Sequence, residues 1–228
     1  NTGSLNNKLT VFLALAPVAN LAHSQTELAR ELFSHWKLGY KFAKSIGLYQ
    51  LKNAKKDSLT GQFCLAYPGI CDGISKLFRD TSSPYNVDAS EEVQAYRSPS
   101  SSSLKQYIHY GQLATTGIFQ QFDYGSDKLN IERYGSTTIP KLNLGNVKVP
   151  TGMFVGDHDL WADPADVRTF KNKVQNLVFY NEYTGMDHDS FQICKNMSFM
   201  NDVIATLKET GNHPAVSEED QQDPLFVY

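Results

Sequence analysis

Val149-Pro-Thr-Gly-Met-Phe-Val-Gly-Asp-His-Asp159-Leu-Trp-Ala-Asp-Pro164 is the stretch on which the fold turns. It reads as a buried strand that stops at a glycine. A carboxylate follows just past the strand end, and a helix starts at Asp163-Pro164. Aspartate is a favoured cap and proline fits the first helical position, where its missing N–H costs nothing. Further on, Leu177–Tyr183 is a second apolar run. It leads into Tyr183-Thr-Gly-Met-Asp-His188-Asp-Ser-Phe-Gln192, a loop that carries a histidine. An acid on one strand-end loop and a histidine on the next are two members of a nucleophile–acid–base set.

Working outward, the same alternation continues. Strands are expected over Val147–Val155 and Leu177–Tyr183, and helices over Pro164–Val174 and Met197–Leu207. Upstream, Leu9-Thr-Val-Phe-Leu-Ala-Leu-Ala16 is a continuous apolar run ended by Pro17. Such a run fits a strand buried on both faces of a parallel sheet. Parallel strands joined by helices give a doubly wound α/β sheet with its ligand site at the carboxyl ends of the strands. Asp159 and His188 both fall at such ends.

Between Gln25 and about Asp123 the period changes to helical. Leu28, Leu32, Trp36 or Phe33, Tyr40 and Ala43 mark one helix. Shorter patches lie near Ile74–Phe78, Glu91–Tyr96 and Leu104–Ala114, and Ser98-Pro-Ser-Ser-Ser-Ser103 reads as a loop or the cap of the last of these. The segment is expected to be a helical insertion between sheet strands, a place where α/β enzymes commonly cover their site. The domain reading is therefore residues 1–24 and 124–211 as the core, 25–123 as a helical cap, and 212–228 as an acidic tail.

Composition narrows the field. At 228 residues the chain can bury a sizeable core. A net charge of −3 offers no basic footprint for nucleic acid or for an anionic membrane. No apolar run approaches the ~20 residues of a spanning helix. The start, Asn1-Thr-Gly-Ser-Leu-Asn-Asn-Lys8, has no initiator Met and none of the regions of a signal peptide, so the sequence reads as part of something longer. Three cysteines are too few for a disulfide scaffold; Cys64 and Cys71 are spaced so that they can bridge, leaving Cys194 over. Asn196-Met-Ser198 is a glycosylation sequon, relevant if the chain is secreted.

Asp159 competes with Asp157 and Asp166 for the role of acid. With Asp163 as the helix cap, Asp159 is left to serve a histidine. Of the six histidines, His188 alone follows the last strand. His158 has its own neighbour as nearest carboxylate, and His23, His35, His109 and His213 lie in or beside the insertion or in the tail. The order acid then histidine is the second half of the α/β-hydrolase order, whose first member sits on a Gly-x-Ser-x-Gly elbow. No such pentapeptide occurs in these residues. Ser24, in Ala22-His-Ser-Gln-Thr26, mimics it, but Ala22 and Thr26 carry a Cβ where the strained turn needs glycine. Ser24 fits better as the cap of the following helix. Walker, dinucleotide-binding and His-Glu-x-x-His motifs are missing, and Asp157, His158 and Asp159 are too close in sequence to converge on one metal, so neither cofactor nor metal is expected.

Several blocks together resemble the acid lipase family of α/β-hydrolases, the gastric and lysosomal acid lipases and their steryl-ester-hydrolase relatives. They are Phe12-Leu-Ala-Leu-Ala-Pro-Val-Ala19, Tyr107-Ile-His-Tyr-Gly-Gln112, Gly117-Ile-Phe-Gln-Gln-Phe-Asp-Tyr-Gly125, Val149-Pro150, Asp157-His-Asp-Leu-Trp-Ala-Asp-Pro164 and Asn176-Leu-Val-Phe-Tyr180. The resemblance runs from about Lys8 to about Leu207 and implies the C-terminal portion of such an enzyme. It implies Asp159 as acid, His188 as base and a serine upstream of Asn1. It also implies that Ser24 is not the nucleophile and that Cys64 and Cys71 are counterparts of a family cysteine pair. One departure stands out: the family has His-Leu-Asp-Phe where this chain has His188-Asp-Ser-Phe191. The implied activity is hydrolysis of triacylglycerol or steryl esters in a secreted or lysosomal setting, with no cofactor. The implied partners are a lipid ester, the N-terminal portion of the same protein and a peripheral lipid surface. The alternative is an inactive lipase-like subunit with a structural or lipid-binding role.

Overall fold

The computed structural model describes residues 6, 8–23, 34–47, 49–51, 83–86 and 102–211. Ser24, Cys64, Cys71 and the tail lie outside them, as does much of the 25–123 insertion. In chain order the described elements begin with β1 (Phe12–Leu15), α1 (Trp36–Ser45), β2 (Gln50–Leu51), β3 (Ser102–Ser103), α2 (Leu104–Thr116) and α3 (Asp127–Tyr134). They continue with β4 (Thr151–Gly156), α4 (Pro164–Lys171), β5 (Leu177–Tyr183), α5 (Ser190–Ile193) and α6 (Phe199–Thr210).

β1, β4 and β5 form a three-stranded sheet in the order β1-β4-β5, and both pairings are parallel. All six residues of central β4 are buried. Side chains alternate across a strand, so its residues feed two cores. On one face Met153 and Val155 pack with Ala19 and with Val167 and Phe170 of α4. On the other, Phe154 packs with Met186, Phe191, and Phe199 and Val203 of α6. Helices on both faces of a parallel sheet make the α/β layering expected from the sequence. Each fully covered side chain such as Phe154 or Val155 contributes about 1.5–3 kcal/mol by leaving water.

Among the described residues β1 is covered only in part. Phe12 is 49% exposed and Leu15 38%. The apolar run is there, but among the described residues β1 is the sheet edge and is paired only to β4. It is therefore covered less completely than β4.

A second, smaller sheet lies in the insertion. β2 and β3 form a small antiparallel pair, and α2 follows directly. The serine run does cap α2: Ser103 Oγ accepts from the Gln106 amide. The blocks that carry the family resemblance here are a structural lock. Buried Gln112 of α2 donates from Nε2 to the Asp123 carbonyl and accepts at Oε1 from the Asp123 amide, both at 2.8 Å. Asp123 Oδ1 in turn accepts from the Gly125 amide and from Asn130 Nδ2 of α3.

Candidate active site

β4 hands its chain to a turn, and the turn is shaped by Asp159. The side chain is buried and its carboxylate has three donors. Oδ1 accepts from the Trp161 amide at 2.8 Å and the Ala162 amide at 2.6 Å. Oδ2 accepts from His188 Nδ1 at 2.9 Å. Asp163, as expected, caps α4 by accepting from the Ala165 amide. The bland role of capping is thus taken by Asp163, and Asp159 bridges its own turn to the loop after β5.

Two loops must come very close for this to happen, and glycine allows it. A Cβ on Gly156 would lie 2.4 Å from the Met186 carbonyl oxygen. That atom is backbone and cannot swing aside. The loops are then stitched together by the Asp157 amide donating to Tyr183 O, the His158 amide to Met186 O and the Gly185 amide to Asp157 Oδ1.

His188 is partly exposed, with 36% of its side chain accessible against none for Asp159. A carboxylate can only accept, so Nδ1 carries the proton in this contact. In the neutral ring Nε2 then holds the lone pair, the arrangement a general base requires. His188 and Asp159 are therefore brought together, whereas His158 pairs with its neighbour Asp157.

Sequence reasoning passed over a second histidine–carboxylate pair. Asp166, fully buried in the first turn of α4, accepts the His23 ring Nδ1 at 2.7 Å and the His23 backbone amide at 2.9 Å. That hydrogen bond and the charge of Asp166 raise the His23 pKa above 6.5, against a smaller opposing effect of burial; Asp163 adds to the rise. No local pattern could have found this pair, because its members lie 143 residues apart.

A cleft of about 300 Å³ opens over the start of α4 between Asp157, Asp159 and Arg168, but His188 does not line it. Among the described residues no group of three or more His, Cys, Asp or Glu is placed to hold a metal ion. Also among the described residues, Cys194 is a buried free thiol. Asn196 is exposed, and no helix is long and apolar enough to cross a membrane.

No family model matches the chain. Among curated proteins it is similar to a tear acid lipase-like protein of Mesocricetus auratus, 29% identical over 90% of this chain and 52% of that protein. The gastric triacylglycerol lipase of Rattus norvegicus is 28% identical over 82% of this chain and 48% of its own length. Among solved structures, a Paleococcus ferrophilus monoacylglycerol lipase superposes with a TM-score of 0.46 at 13% identity, over 92% of this chain and 62% of the other. The chain is similar to acid lipases, and it spans about half the length of the curated relatives it matches.

Proposed function

We propose that the whole protein is a serine hydrolase that cleaves carboxylic esters of lipids, triacylglycerols or steryl esters, and that this chain supplies its acid and base. The observation that carries the reading is the 2.9 Å contact between His188 Nδ1 and the buried Asp159 carboxylate at the ends of adjacent parallel strands. The lipase relatives support the same direction.

In this mechanism a serine from outside these 228 residues attacks the ester carbonyl. His188 Nε2 takes its proton and later gives it to the departing alkoxide. Asp159 holds the ring in the correct tautomer and stabilises the imidazolium that forms. Backbone amides hold the oxyanion, and they too come from outside this chain. Neither a metal nor a cofactor enters a step. Residues 1–24 and 124–211 are the hydrolase core in this reading, 25–123 the cap and 212–228 the tail. The β2–β3 pair, a sheet of its own followed directly by α2, supports a separate cap. The secreted or lysosomal setting, glycosylation at Asn196 and a Cys64–Cys71 bridge belong to the same proposal. Exposure of Asn196 supports the second of these.

One observation favours the alternative of an inactive lipase-like subunit. Asp189 stands directly after His188, where the family pattern has leucine, and sets a second carboxylate beside the base. Fluorophosphonate labelling of the natively isolated protein, with mass spectrometry of the labelled peptide, separates the two. Label on a serine outside Asn1–Tyr228 is the expected result. No label on folded protein would favour the inactive subunit, and label on Ser24 would overturn the elbow argument.

A further inference from the structure

Next to His188 sits a carboxylate that the proposed mechanism does not use. Asp187 is fully buried, and four groups donate to it. Ser83 N donates to Oδ2 at 3.1 Å, and Asn86 Nδ2 lies 3.0 Å from Oδ1 and 2.8 Å from Oδ2. Ser190 N and Ser190 Oγ each lie 2.8 Å from Oδ1. None of these donors is cationic. A buried charge without a counter-ion is tolerated only when its hydrogen bonds are complete. Two of the four donors come from residues 83–86, about a hundred positions upstream and inside the 25–123 insertion.

The same short segment grips both flanks of the His188 loop. Before the histidine, Ser83 Oγ donates to the Gly185 carbonyl at 2.6 Å. The Tyr85 ring packs on Gly185 so closely that a Cβ there would lie 2.3 Å from it, and Gly185 has φ +76 besides. After the histidine, the Lys195 amide donates to the Tyr85 carbonyl at 2.7 Å, and Asn86 bridges Cys194 in antiparallel fashion. Ser190 Oγ also accepts from the Asp187 amide, and its single proton lies within reach of both Asp187 Oδ1 and Asn86 Oδ1.

We propose that Asp187 and Asn86 are positioning residues: through them, residues 83–86 of the insertion set the orientation of His188. Asp187 adjoins His188 and shares its loop, so rotation of that peptide would carry the imidazole away from Asp159. Loss of the Asn86 amide leaves a buried carboxylate short of donors, and turning Asp187 outward to water relieves this. The insertion is thus coupled to the proton-transfer group by hydrogen bonds, whatever else it covers. This inference rests on the reading of His188 as the general base.

The test uses Asn86→Ala, with the isosteric Asp187→Asn as the gentler variant should the first fail to fold, in the full protein. Two readouts keep the questions separate. The first is the pH profile of fluorophosphonate labelling. The second is the ring ¹⁵N titration of His188 by NMR, assigned with His188→Gln, which needs no activity. The expected result is a labelling rate at least tenfold lower, a displaced acid limb and a shifted His188 titration, with cooperative unfolding retained. A folded variant with wild-type His188 titration overturns the coupling. If the wild-type protein does not label, the hydrolase reading fails, while the NMR arm still decides whether residues 83–86 set the state of His188.

Discussion

Among the described residues two histidine–aspartate pairs set a ring nitrogen on a buried carboxylate in nearly the same geometry, but in different parts of the fold. His188 meets Asp159 at 2.9 Å and His23 meets Asp166 at 2.7 Å, both through Nδ1 and both onto a buried carboxylate. Asp159 divides its oxygens between two amides of its own turn and an imidazole from the neighbouring strand-end loop. Asp166 spends both oxygens on one residue, the His23 amide and its ring. The first arrangement holds the ring through Nδ1 on a loop that faces the strand ends. The second is a staple that ties the chain leaving β1 to α4. A short His–carboxylate contact is therefore no signature of a triad by itself; what separates the pairs is where the fold puts them.

The comparison breaks first on rate. His188→Ala should slow fluorophosphonate labelling by at least about 10⁴-fold, as removal of a catalytic base does elsewhere. His23→Ala should leave the rate near wild type. Equal losses in the two variants would mean that the pairs had been told apart wrongly.

The next effect is on stability. Gly156→Ala places a Cβ against the Met186 carbonyl and forces the two strand-end loops apart. A loss of about 3 kcal/mol in denaturant unfolding is expected, with labelling falling as well. Asp166→Ala should cost about 2 kcal/mol by leaving the His23 donors without their acceptor, yet leave labelling of the folded fraction unchanged.

A smaller effect sharpens the comparison through pH. The folded pKa of His23 is raised above the unfolded value of 6.5. Its stabilising share is therefore complete below the unfolded pKa and is lost as pH rises through the folded one. The gap in melting temperature between wild type and His23→Ala should be wider near about pH 5.5 than near about pH 8.5. Glu182 should show the opposite sign. Its pairing with the Arg168 guanidinium, with help from the Tyr180 hydroxyl, lowers it to about 2. That contribution is present above the unfolded pKa of 4.5 and fades as pH falls toward 2. Arg168 is more than half exposed, so Arg168→Ala should have the smallest effect of these on stability at neutral pH.

Much of this architecture is legible in local chemistry. The β5 strand occupies the span its apolar run marks, and α4 begins where Asp163-Pro164 requires. At the other ends the physics of single residues moves the limits. β4 starts at Thr151 because Pro150 has no N–H for a ladder. α4 stops at Lys171, and the Lys173 and Val174 amides turn back to Phe170 and Lys171. The meeting of Asp159 with His188 follows from strand-end placement, a property of the alternating pattern. Nothing local could reveal the exposed edge of β1, the His23–Asp166 staple or the grip of Asn86 on Asp187. Each depends on which distant segment the fold brings alongside, and a buried carboxylate in a loop gives no sign in sequence of who will donate to it.

The most direct test of the account sets the two carboxylates against each other. Asp159→Asn and Asp166→Asn make the same isosteric change at the two pairs, and the fluorophosphonate labelling rate of the folded protein reads the result. A loss of about 10⁴-fold is expected for Asp159→Asn, the scale seen when a triad aspartate becomes an amide, and a rate within about twofold of wild type for Asp166→Asn. A labelling rate unchanged by Asp159→Asn would contradict it.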